Sequence, residues 1–517
     1  MKKLYGDLAA ALDAFQSGSV SADGVKPLLA PSGIYQQKNG LFMARIRING
    51  GDVSSGGLAG LAEVVERSGG YAHITSRQDL QVHDLPAGRV MEVVLGADRL
   101  GLPFKGGGGN TYRNTVASGD SGYAPEGVFD VQPYAQAVNR ALLRCERAFA
   151  LPRKLKIGFF ANASEQVQAA AQDLGFLAQR RDGRPGFTVY AAGGQGRESS
   201  AGLKLFEFLG AEHVVRATLA LVALFHDHGD RANRHQARLR FVLKRLGPEA
   251  FLRLYLGYYA EVKAPALRAP EADGRASLVP QLRRGTSGLR AEGFELWEQI
   301  AVQATRFGAE VKSVRLYVPY GKLTGAQLRS LAGLARDYCP VPLRLLASQD
   351  LLLPMVHVSA LPEIYARLRG ELGDLDLTFA SYRGHLVTCV GAQVCKIGMV
   401  DSPAVAERLA VALDRYLPPD TPEKRALLRL VTDELRISGC PNSCASHHTA
   451  RLGIGCLNQK VDGEVQPFAR LFTGAGVRDG VPHFSKEADP ARLIPVAELA
   501  EAVIAELLKI AAEDAAR

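Results

Sequence analysis

Two short segments, TCVGAQVC at residues 388–395 and GCPNSC at residues 439–444, decide how this sequence is interpreted. Their cysteines form two close pairs, Cys389 with Cys395 and Cys440 with Cys444. Four thiolates in two close pairs can surround one soft metal centre. Zinc ribbons favour two-residue gaps within a pair, whereas these gaps are longer and contain Gly, Pro and Asn. The spacing therefore favours an iron–sulfur cluster, with buried free cysteines as the simpler alternative.

The composition is that of a globular protein with several domains: 517 residues, 47% hydrophobic and 22% charged. Seven cysteines in a chain of this length favour a reducing compartment. We find no signal peptide and no apolar run long enough to cross a membrane, so we expect a cytoplasmic protein without a membrane partner. The net charge of +9 fits an anionic cofactor, an anionic substrate or an acidic partner, but it also fits a chance excess of basic residues. Nucleic acid is not expected, because the basic residues are dispersed.

A pattern of strand, glycine turn, helix and strand occurs twice. The first copy has a strand at 41–48, a helix at 57–68 and a strand at 71–83; the second has a strand at 314–318, a helix at 326–336 and a strand that ends at 347–351. Both copies contain a similar ending, SRQDL at 76–80 and SQDL at 348–351. The same elements in the same order predict a duplicated α+β fold.

Other elements follow from local signals. Helices are predicted at 4–17, 404–416, 425–435 and 496–516, and a polar stretch follows the first of them up to about Pro31. Three prolines and weak periodicity predict a linker between the two halves at 262–287.

The two cysteine segments, together with HITSRQDLQVH at 73–83 and LPRKLK at 151–156, resemble the sulfite and nitrite reductases that carry siroheme beside a [4Fe–4S] cluster. The resemblance runs from about Gly33 to Phe472. It implies an α+β fold of two ferredoxin-like halves with pseudo-two-fold symmetry, plus two α/β domains that bind siroheme and the cluster. The implied boundaries are an N-terminal extension at 1–30, repeat 1 at 31–100, a siroheme and substrate domain at 101–285, repeat 2 at 286–360, and an iron–sulfur and siroheme domain at 361–517.

The resemblance also implies roles for individual residues. Cys389, Cys395, Cys440 and Cys444 would hold the cluster, and Cys444 would also bridge to the siroheme iron. Basic residues suit both the carboxylates of siroheme and a small oxyanion, because they make charge-assisted hydrogen bonds. The candidates at the substrate are Arg77, Arg153, Arg197 and Lys204, and those at the cofactor, besides Cys444, are Arg113, Asn114, Lys154 and Lys156. Strand alternation would place Lys154 and Lys156 on one face.

The function that the resemblance implies is the six-electron reduction of sulfite to sulfide or of nitrite to ammonia, with electrons from an acidic ferredoxin or a flavoprotein. The sequence does not choose between the two anions, because the segment at 193–204 departs from the lysine-rich pattern expected of the sulfite enzymes. Two alternatives remain open. One is an oxygen-using enzyme similar to precorrin-3B synthase of cobalamin synthesis, and the other is a cluster protein that only relays electrons.

Overall fold

Each copy of the repeated unit forms a sheet, and each sheet takes its edge strand from the other copy. A computed structural model describes residues 2–267, 274–375, 381–419 and 421–515. The first-repeat sheet has the spatial order Ile34–Gln36, Phe42–Ile46, Leu80–Leu85, Tyr71–Ile74 and Lys322–Leu323. The second-repeat sheet has the order Val302–Ala304, Val311–Leu316, Leu351–His357, Leu343–Leu345 and Asp52–Val53. This reciprocal exchange confirms the duplicated α+β architecture.

One long helix of each repeat packs against its counterpart, and the two helices begin in the same way. The helix Ser55–Ser68 is capped by Ser54, whose hydroxyl accepts the N–H of Gly57. The helix Gly325–Tyr338 is capped by Thr324, whose hydroxyl accepts the N–H of Gln327. A side-chain oxygen at this position satisfies one of the free N–H groups of the first turn. Both predicted repeat helices are therefore present, each extended by a few residues.

The predicted strand at 71–83 is wrong, because the structure has a hairpin there. Tyr71–Ile74 and Leu80–Leu85 are antiparallel strands joined by a tight turn in which Gln78 has φ 58°. The strand predicted to end at 347–351 is likewise two strands, with Gln349 at φ 71° in the turn. Residues with positive φ interrupt a strand, and strand periodicity does not reveal them. Arg77 thus lies in a turn.

Two further sheets, here called the first and second central sheets, repeat each other in strand order and direction. The first contains Val116–Ala117, Ile157–Phe160, Leu174–Arg181, Arg184–Ala191 and Leu203–Gly210. The second contains Val387–Thr388, Leu435–Ser438, Leu452–Val461, Glu464–Thr473 and Lys486–Glu487, and Ile494–Pro495 also pairs with Glu464–Thr473. In both sheets the first two pairings are parallel and the third is antiparallel. The duplication therefore includes the central sheets.

The turn glutamines connect the repeat sheets to the central sheets. Gln78 bonds both the N–H and the carbonyl of Ala117, each at 2.9 Å. Gln349 accepts the N–H of Thr388 at 3.1 Å. Each glutamine thus fixes the short first strand of one central sheet against the turn of one repeat.

Helices cover the sheets and enclose two large apolar cores, and a smaller cluster lies around Phe160 and Tyr190. The first central sheet has its own core, which runs from Tyr112 to Tyr255, while the repeat sheets and the second central sheet share another. The remaining helices are Lys2–Gln16, Ala22–Leu29, Ala87–Arg99, Gln132–Leu143, Gln166–Ala170, Val214–His228, Leu239–Leu246, Pro248–Glu261, Phe294–Ala301, Leu361–Leu372, Gly391–Val394, Ser402–Tyr416, Pro422–Glu434 and Leu499–Ala515. Gly476–Arg478 and Val481–His483 form a separate hairpin.

The polar stretch before Pro31 contains the helix Ala22–Leu29, which Ser21 caps. Its one internal proline, Pro27, weakened the helical signal. In the predicted linker the short 3₁₀ segment Gly274–Gln281 is present, and residues 268–273 lie outside the described residues. Within the described ranges, no helix is both long and apolar enough to cross a bilayer.

Candidate siroheme and iron–sulfur site

The four cysteines of the two segments lie at one edge of the second central sheet. Cys389 directly follows Val387–Thr388, and Cys440 follows the parallel neighbouring strand Leu435–Ser438. Because parallel strands end at the same edge, these two cysteines meet although they are far apart in sequence. Cys395 follows the one-turn helix Gly391–Val394, whose tight start requires Gly391 at φ 70°.

Backbone N–H groups point at the thiols. The Cys389 sulfur accepts the N–H of Gly439 at 3.3 Å and lies 3.1 Å from the Ser402 hydroxyl oxygen. The N–H groups of Ile397 and Asn442 are directed in the same way at Cys395 and Cys440. Such donors favour the thiolate form, which is the form that binds metal.

Burial raises the pKa of three of these thiols, and the neighbouring thiols raise it further. Cys389 is affected by Cys444, Cys395 by Cys444 and Cys389, and Cys440 by Cys444 and Cys395. This mutual influence shows that the four sulfurs share one neighbourhood. In the parts of the chain that the structure describes, no set of three or more residues is arranged for a single metal ion. A cubane cluster is larger than an ion and holds its thiolates further apart, so the donor set fits a [4Fe–4S] cluster.

Cys456 lies behind the site. It is fully buried in the strand Leu452–Val461, and burial raises the pKa of its thiol to about 12, with smaller contributions from Cys389 and Cys440. It packs with the apolar core that surrounds it. A thiol in this environment behaves as a small apolar side chain.

The turn of the first repeat reaches the cysteine loop. The Ser76 hydroxyl donates to the carbonyl oxygen of Cys444 at 2.9 Å. The next residue, Arg77, donates to the side chain of Gln172 at 3.2 Å and to the carbonyls of Asn114 and Ile157. These bonds hold the guanidinium in one position, in the residue next to the one that contacts the exposed Cys444.

Lys154 and Lys156 of the LPRKLK segment lie beside Cys444 on the side of the first central sheet. Burial lowers the pKa of Lys154 to about 8, and repulsion from Arg238, Arg113 and Arg153 adds to the effect, while Cys444 opposes it. Burial also lowers the pKa of Lys156, which Cys444 opposes in the same way. The strand expected over this segment begins only at Ile157, and Leu155 is fully buried between two partly buried lysines.

Sequence reasoning missed Arg238 and Arg240. Arg238 is buried and pairs with the carboxylate of Asp173 at 2.9 Å. Arg240 donates to the carbonyl of Gln195 at 2.9 Å, and the Gln195 side chain accepts the Ser443 hydroxyl at 3.0 Å. Segments 238–240 and 154–156 both have a leucine between two basic residues. This shared pattern could have identified the two arginines.

The candidates Arg113 and Asn114 support the loop that precedes them. The Arg113 guanidinium donates to the carbonyls of Gly108, Gly109 and Thr111. The Asn114 amide donates to the carbonyls of Ile48 and Arg77, so it holds the turn that carries Arg77. The glycines at 106–109 are crowded by the chain itself, since a side chain on Gly108 would meet the carbonyl of Ala30.

The structure does not bring Arg197 and Lys204 into this cluster. Lys204 is exposed and pairs with Glu207 at 3.0 Å. Arg197 is also exposed, although the loop before it contacts the cysteine loop through Gln195. Their assignment to the substrate therefore receives no support from the geometry.

The basic side chains of this cluster outnumber the carboxylates near them. Among the described residues, some of their buried N–H groups have no hydrogen-bond partner. Burial lowers the pKa of Arg77 to about 10 and that of Arg113 to about 9. Within the described ranges, the buried Nε atoms of Arg77, Arg238 and Arg240 have no hydrogen-bond partner. Asp173 and Asp79 supply the nearby negative charge. Unpaired buried donors and uncompensated charge are costly unless an anionic group binds there, and a tetrapyrrole with many carboxylates fits this requirement.

The first central sheet has polar residues with oxygen atoms at the positions where the second central sheet has cysteines. The Ser118 hydroxyl accepts the N–H of Ala161 at 2.7 Å, just as the Cys389 sulfur accepts the N–H of Gly439. Asn162 stands where Cys440 stands, and its N–H is bonded by the carboxylate of Glu165 at 3.1 Å. The same backbone frame thus occurs twice, and the soft ligands that a cluster needs are found in the second copy.

Comparisons with known proteins agree with this arrangement. Residues 108–263 match the family model of the nitrite and sulphite reductase 4Fe-4S domain, and residues 35–97 and 307–370 match that of the nitrite/sulfite reductase ferredoxin-like half domain. The ferredoxin–nitrite reductase of Synechococcus elongatus is 27% identical over 446 residues, which are 85% of this chain and 80% of the relative. The hemoprotein beta-component of an NADPH sulfite reductase from Acidithiobacillus ferrooxidans is 28% identical over 455 residues, 80% of this chain and 74% of the relative.

The structure of the Mycobacterium tuberculosis NirA protein has a TM-score of 0.76, covers 95% of this chain and 90% of its own, and is 20% identical. This likeness concerns the fold. The two family models together account for more than half of the chain, on both repeats and the first central domain. The chain is an oxidoreductase that belongs to the family of nitrite and sulfite reductases with siroheme and a [4Fe–4S] cluster.

Proposed function

We propose that this protein reduces a small oxyanion, sulfite to sulfide or nitrite to ammonia, with six electrons delivered one at a time by an acidic ferredoxin. The observation that carries the proposal is a group of four cations: Lys154 and Lys156 lie beside Cys444, and Arg77 and Arg238 lie close to Lys156. Relatives named nitrite reductase and relatives named sulfite reductase both support the reaction class. The name of the relative from Synechococcus elongatus specifies ferredoxin, which supports the donor.

Siroheme and the cluster, when bound, supply the iron at which the anion is reduced and the centre through which electrons arrive. The residues of the chain would do the rest. Arg77 is held in place by Gln172, Asn114 and Ile157, and its positive charge would interact with the anion. A fixed cation that needs no rearrangement stabilises developing negative charge most effectively.

Lys154 is suited to supply protons, because each turnover consumes them. Its pKa of about 8 is close to neutral pH, whereas an ordinary lysine holds its proton much more tightly. An anion bound nearby would raise this pKa again and keep the lysine charged until the anion is consumed. Lys156, whose pKa burial also lowers, would form the second proton source.

Steady-state kinetics on protein prepared anaerobically with siroheme test the proposal. Dithionite-reduced methyl viologen is used as donor, and sulfite and nitrite are compared in separate series. We expect turnover with at least one anion, and the ratio of the two kcat/KM values assigns the substrate. Protein that shows siroheme absorption but reduces neither anion would contradict the proposed reaction. Protein without siroheme bands that consumes oxygen with a precorrin would favour the synthase alternative.

A further inference from the structure

A short loop of the first central sheet, residues 194–200, lies against the cysteine loop at 440–446. It follows the strand Arg184–Ala191. Two backbone hydrogen bonds between Gly194 and Ser200, at 3.0 and 2.9 Å, close its base. This closed loop, here called the clamp loop, is therefore a defined element that the first half of the chain places beside the thiols.

Two hydrogen bonds connect the clamp loop to the cysteine loop and the residues that follow it. The Gln195 side-chain oxygen accepts the Ser443 hydroxyl at 3.0 Å, and the His448 ring is hydrogen-bonded to the backbone of Gly196. The carbonyl of Gln195 also accepts a hydrogen bond from the Arg240 side chain at 2.9 Å. Gln195 therefore links a partly buried cation of the first central sheet to the cysteine loop.

Ser443 has a backbone conformation that depends on such contacts. Its φ is 54°, in a region that residues other than glycine seldom adopt, and the residue is buried. Ser446, at the end of the same loop, has φ 69°. Conformations of this kind cost free energy and persist because the surrounding structure holds them. The bond from Ser443 to Gln195 is one such restraint.

Cys444 depends on this restraint because it is exposed, whereas the other three cysteines of the site are buried or half-buried. The direction of an exposed side chain is set less by core packing and more by the backbone on either side of it. The Ser76 hydroxyl donates to the Cys444 carbonyl, and the preceding residue, Ser443, is bonded to Gln195. Two separate segments of the first half thus restrain the backbone at Cys444.

We propose that Gln195 is a positioning residue for Cys444: by accepting the Ser443 hydroxyl, it fixes the direction in which the thiolate points. This inference rests on the proposed function, which needs that thiolate as a ligand. Groups that orient a metal ligand without touching the metal change affinity or activity by about 10- to 100-fold when they are removed. Because the clamp loop belongs to the first central sheet, it also relates the basic residues of that sheet to the thiols of the second.

Variants at both ends of the bond test the proposal in the holoenzyme. Gln195→Met keeps the length of the side chain but has no amide oxygen, and Ser443→Ala removes the hydroxyl. For each variant with siroheme bound, we expect kcat with reduced methyl viologen to fall about tenfold or more, while the KM for the anion changes less than kcat. The reduction potential of the siroheme, measured by a reductive titration followed in the visible spectrum, should shift in the same direction in both variants.

Glu198→Gln is the matched control. It removes the exposed pair with Lys244 at 3.2 Å on the same loop and should change neither kcat nor the potential. The double variant Gln195→Met/Ser443→Ala should shift the potential no further than either single variant, because both changes remove the same interaction. Shifts that add, or wild-type kcat and potential in both single variants, would overturn the role of Gln195.

Hydrogen exchange tests the restraint directly, including in a variant that loses siroheme. The N–H of Ala445 donates to the Ser438 hydroxyl at 3.3 Å, and the N–H of Ser446 donates to the Ser443 carbonyl at 3.1 Å. Both N–H groups should exchange slowly in wild-type holoenzyme, because the loop that contains them is held in place. In Gln195→Met the same peptide should exchange about tenfold faster or more.

Fast exchange in the wild type, or equal exchange in wild type and Gln195→Met, would show that the clamp loop does not restrain Cys444. Neither the exchange nor the potential requires turnover. A wild-type holoenzyme that reduces neither anion would therefore refute the proposed function, and these two measurements would still decide the role of Gln195.

Discussion

The Ser76 hydroxyl donates a hydrogen bond to the carbonyl oxygen of Cys444 at 2.9 Å, and it thereby joins two segments that are 368 residues apart in sequence. Ser76 belongs to the turn of the first repeat, and Cys444 belongs to the loop after a strand of the second central sheet. Arg77 is consequently held next to the cysteine that the family resemblance assigns to both cofactors. One contact between the two halves thus joins the turn that carries Arg77 to the loop that carries Cys444.

Replacement of Cys389 by Ser should abolish cluster binding, because serine offers a hard oxygen where the cluster needs a soft thiolate. We expect loss of labile sulfide and iron from protein purified anaerobically, and siroheme absorption should fall with it. Cys145→Ser is the control, since Cys145 packs against the core of the first central sheet. A Cys389→Ser protein with its full content of iron and sulfide would show that the site is misassigned.

Arg77→Ala should lower kcat/KM for the anion by about 10²- to 10³-fold, as loss of a fixed charge at a reacting oxyanion does. The visible spectrum of the cofactors should be retained. Because Arg77 also bonds Asn114 and Ile157, unfolding in denaturant must be recorded for the same variant. Arg77→Lys keeps the charge but loses the fork of donors, so we expect an intermediate rate. Wild-type turnover by the Ala variant would place the substrate elsewhere.

Asp173→Asn should destabilise the fold by about 3–5 kcal/mol, since it leaves the buried Arg238 without its counter-charge. Asp173 is fully buried, and it also accepts the N–H of Lys156 at 2.8 Å. Denaturant unfolding at neutral pH measures the change. The exposed pair Glu249–Arg253 provides the control, and Glu249→Gln should have little effect. A change as small as that of the control would mean that the guanidinium is not buried in solution.

Buried histidines should make the fold less stable in mild acid. Burial, with repulsion from Arg315, lowers the pKa of His385 from 6.5 to about 3. In mild acid, His385 is therefore protonated in the unfolded chain and neutral in the folded chain. The stability from this group is complete above pH 6.5 and falls as pH decreases towards 3, by about 1.4 kcal/mol for each pH unit once the unfolded histidine is protonated.

Comparison of His385→Gln with wild type measures this contribution. The free energy of unfolding, recorded between pH 7.5 and pH 5, should depend less steeply on pH in the variant, whatever its absolute stability. His235→Gln, on an exposed residue, should retain the wild-type slope. Equal slopes in all three proteins would indicate that His385 is accessible to protons in the native state.

Sequence reasoning succeeded where the signal is local or periodic. The cysteine pairs, the repeat helices predicted at 57–68 and 326–336, and the LPRKLK segment could all be recognised without coordinates. It failed where a single residue with positive φ turns the chain. Gln78 and Gln349 divide what a periodic pattern presents as one strand, and Arg77 owes its position to that turn.

The sequence by itself determined the ligand chemistry, the duplication and the family, because these depend on residue identity, spacing and order. Tertiary structure alone decided which basic residues surround Cys444. Arg238 and Arg240 lie at the site, whereas Arg197 and Lys204 lie on the surface. The physical reason is that the positions of charged residues in the sequence show no periodicity that predicts a shared site. A basic side chain reaches a site because distant strands and loops pair with each other. The residues next to it in sequence do not determine that pairing.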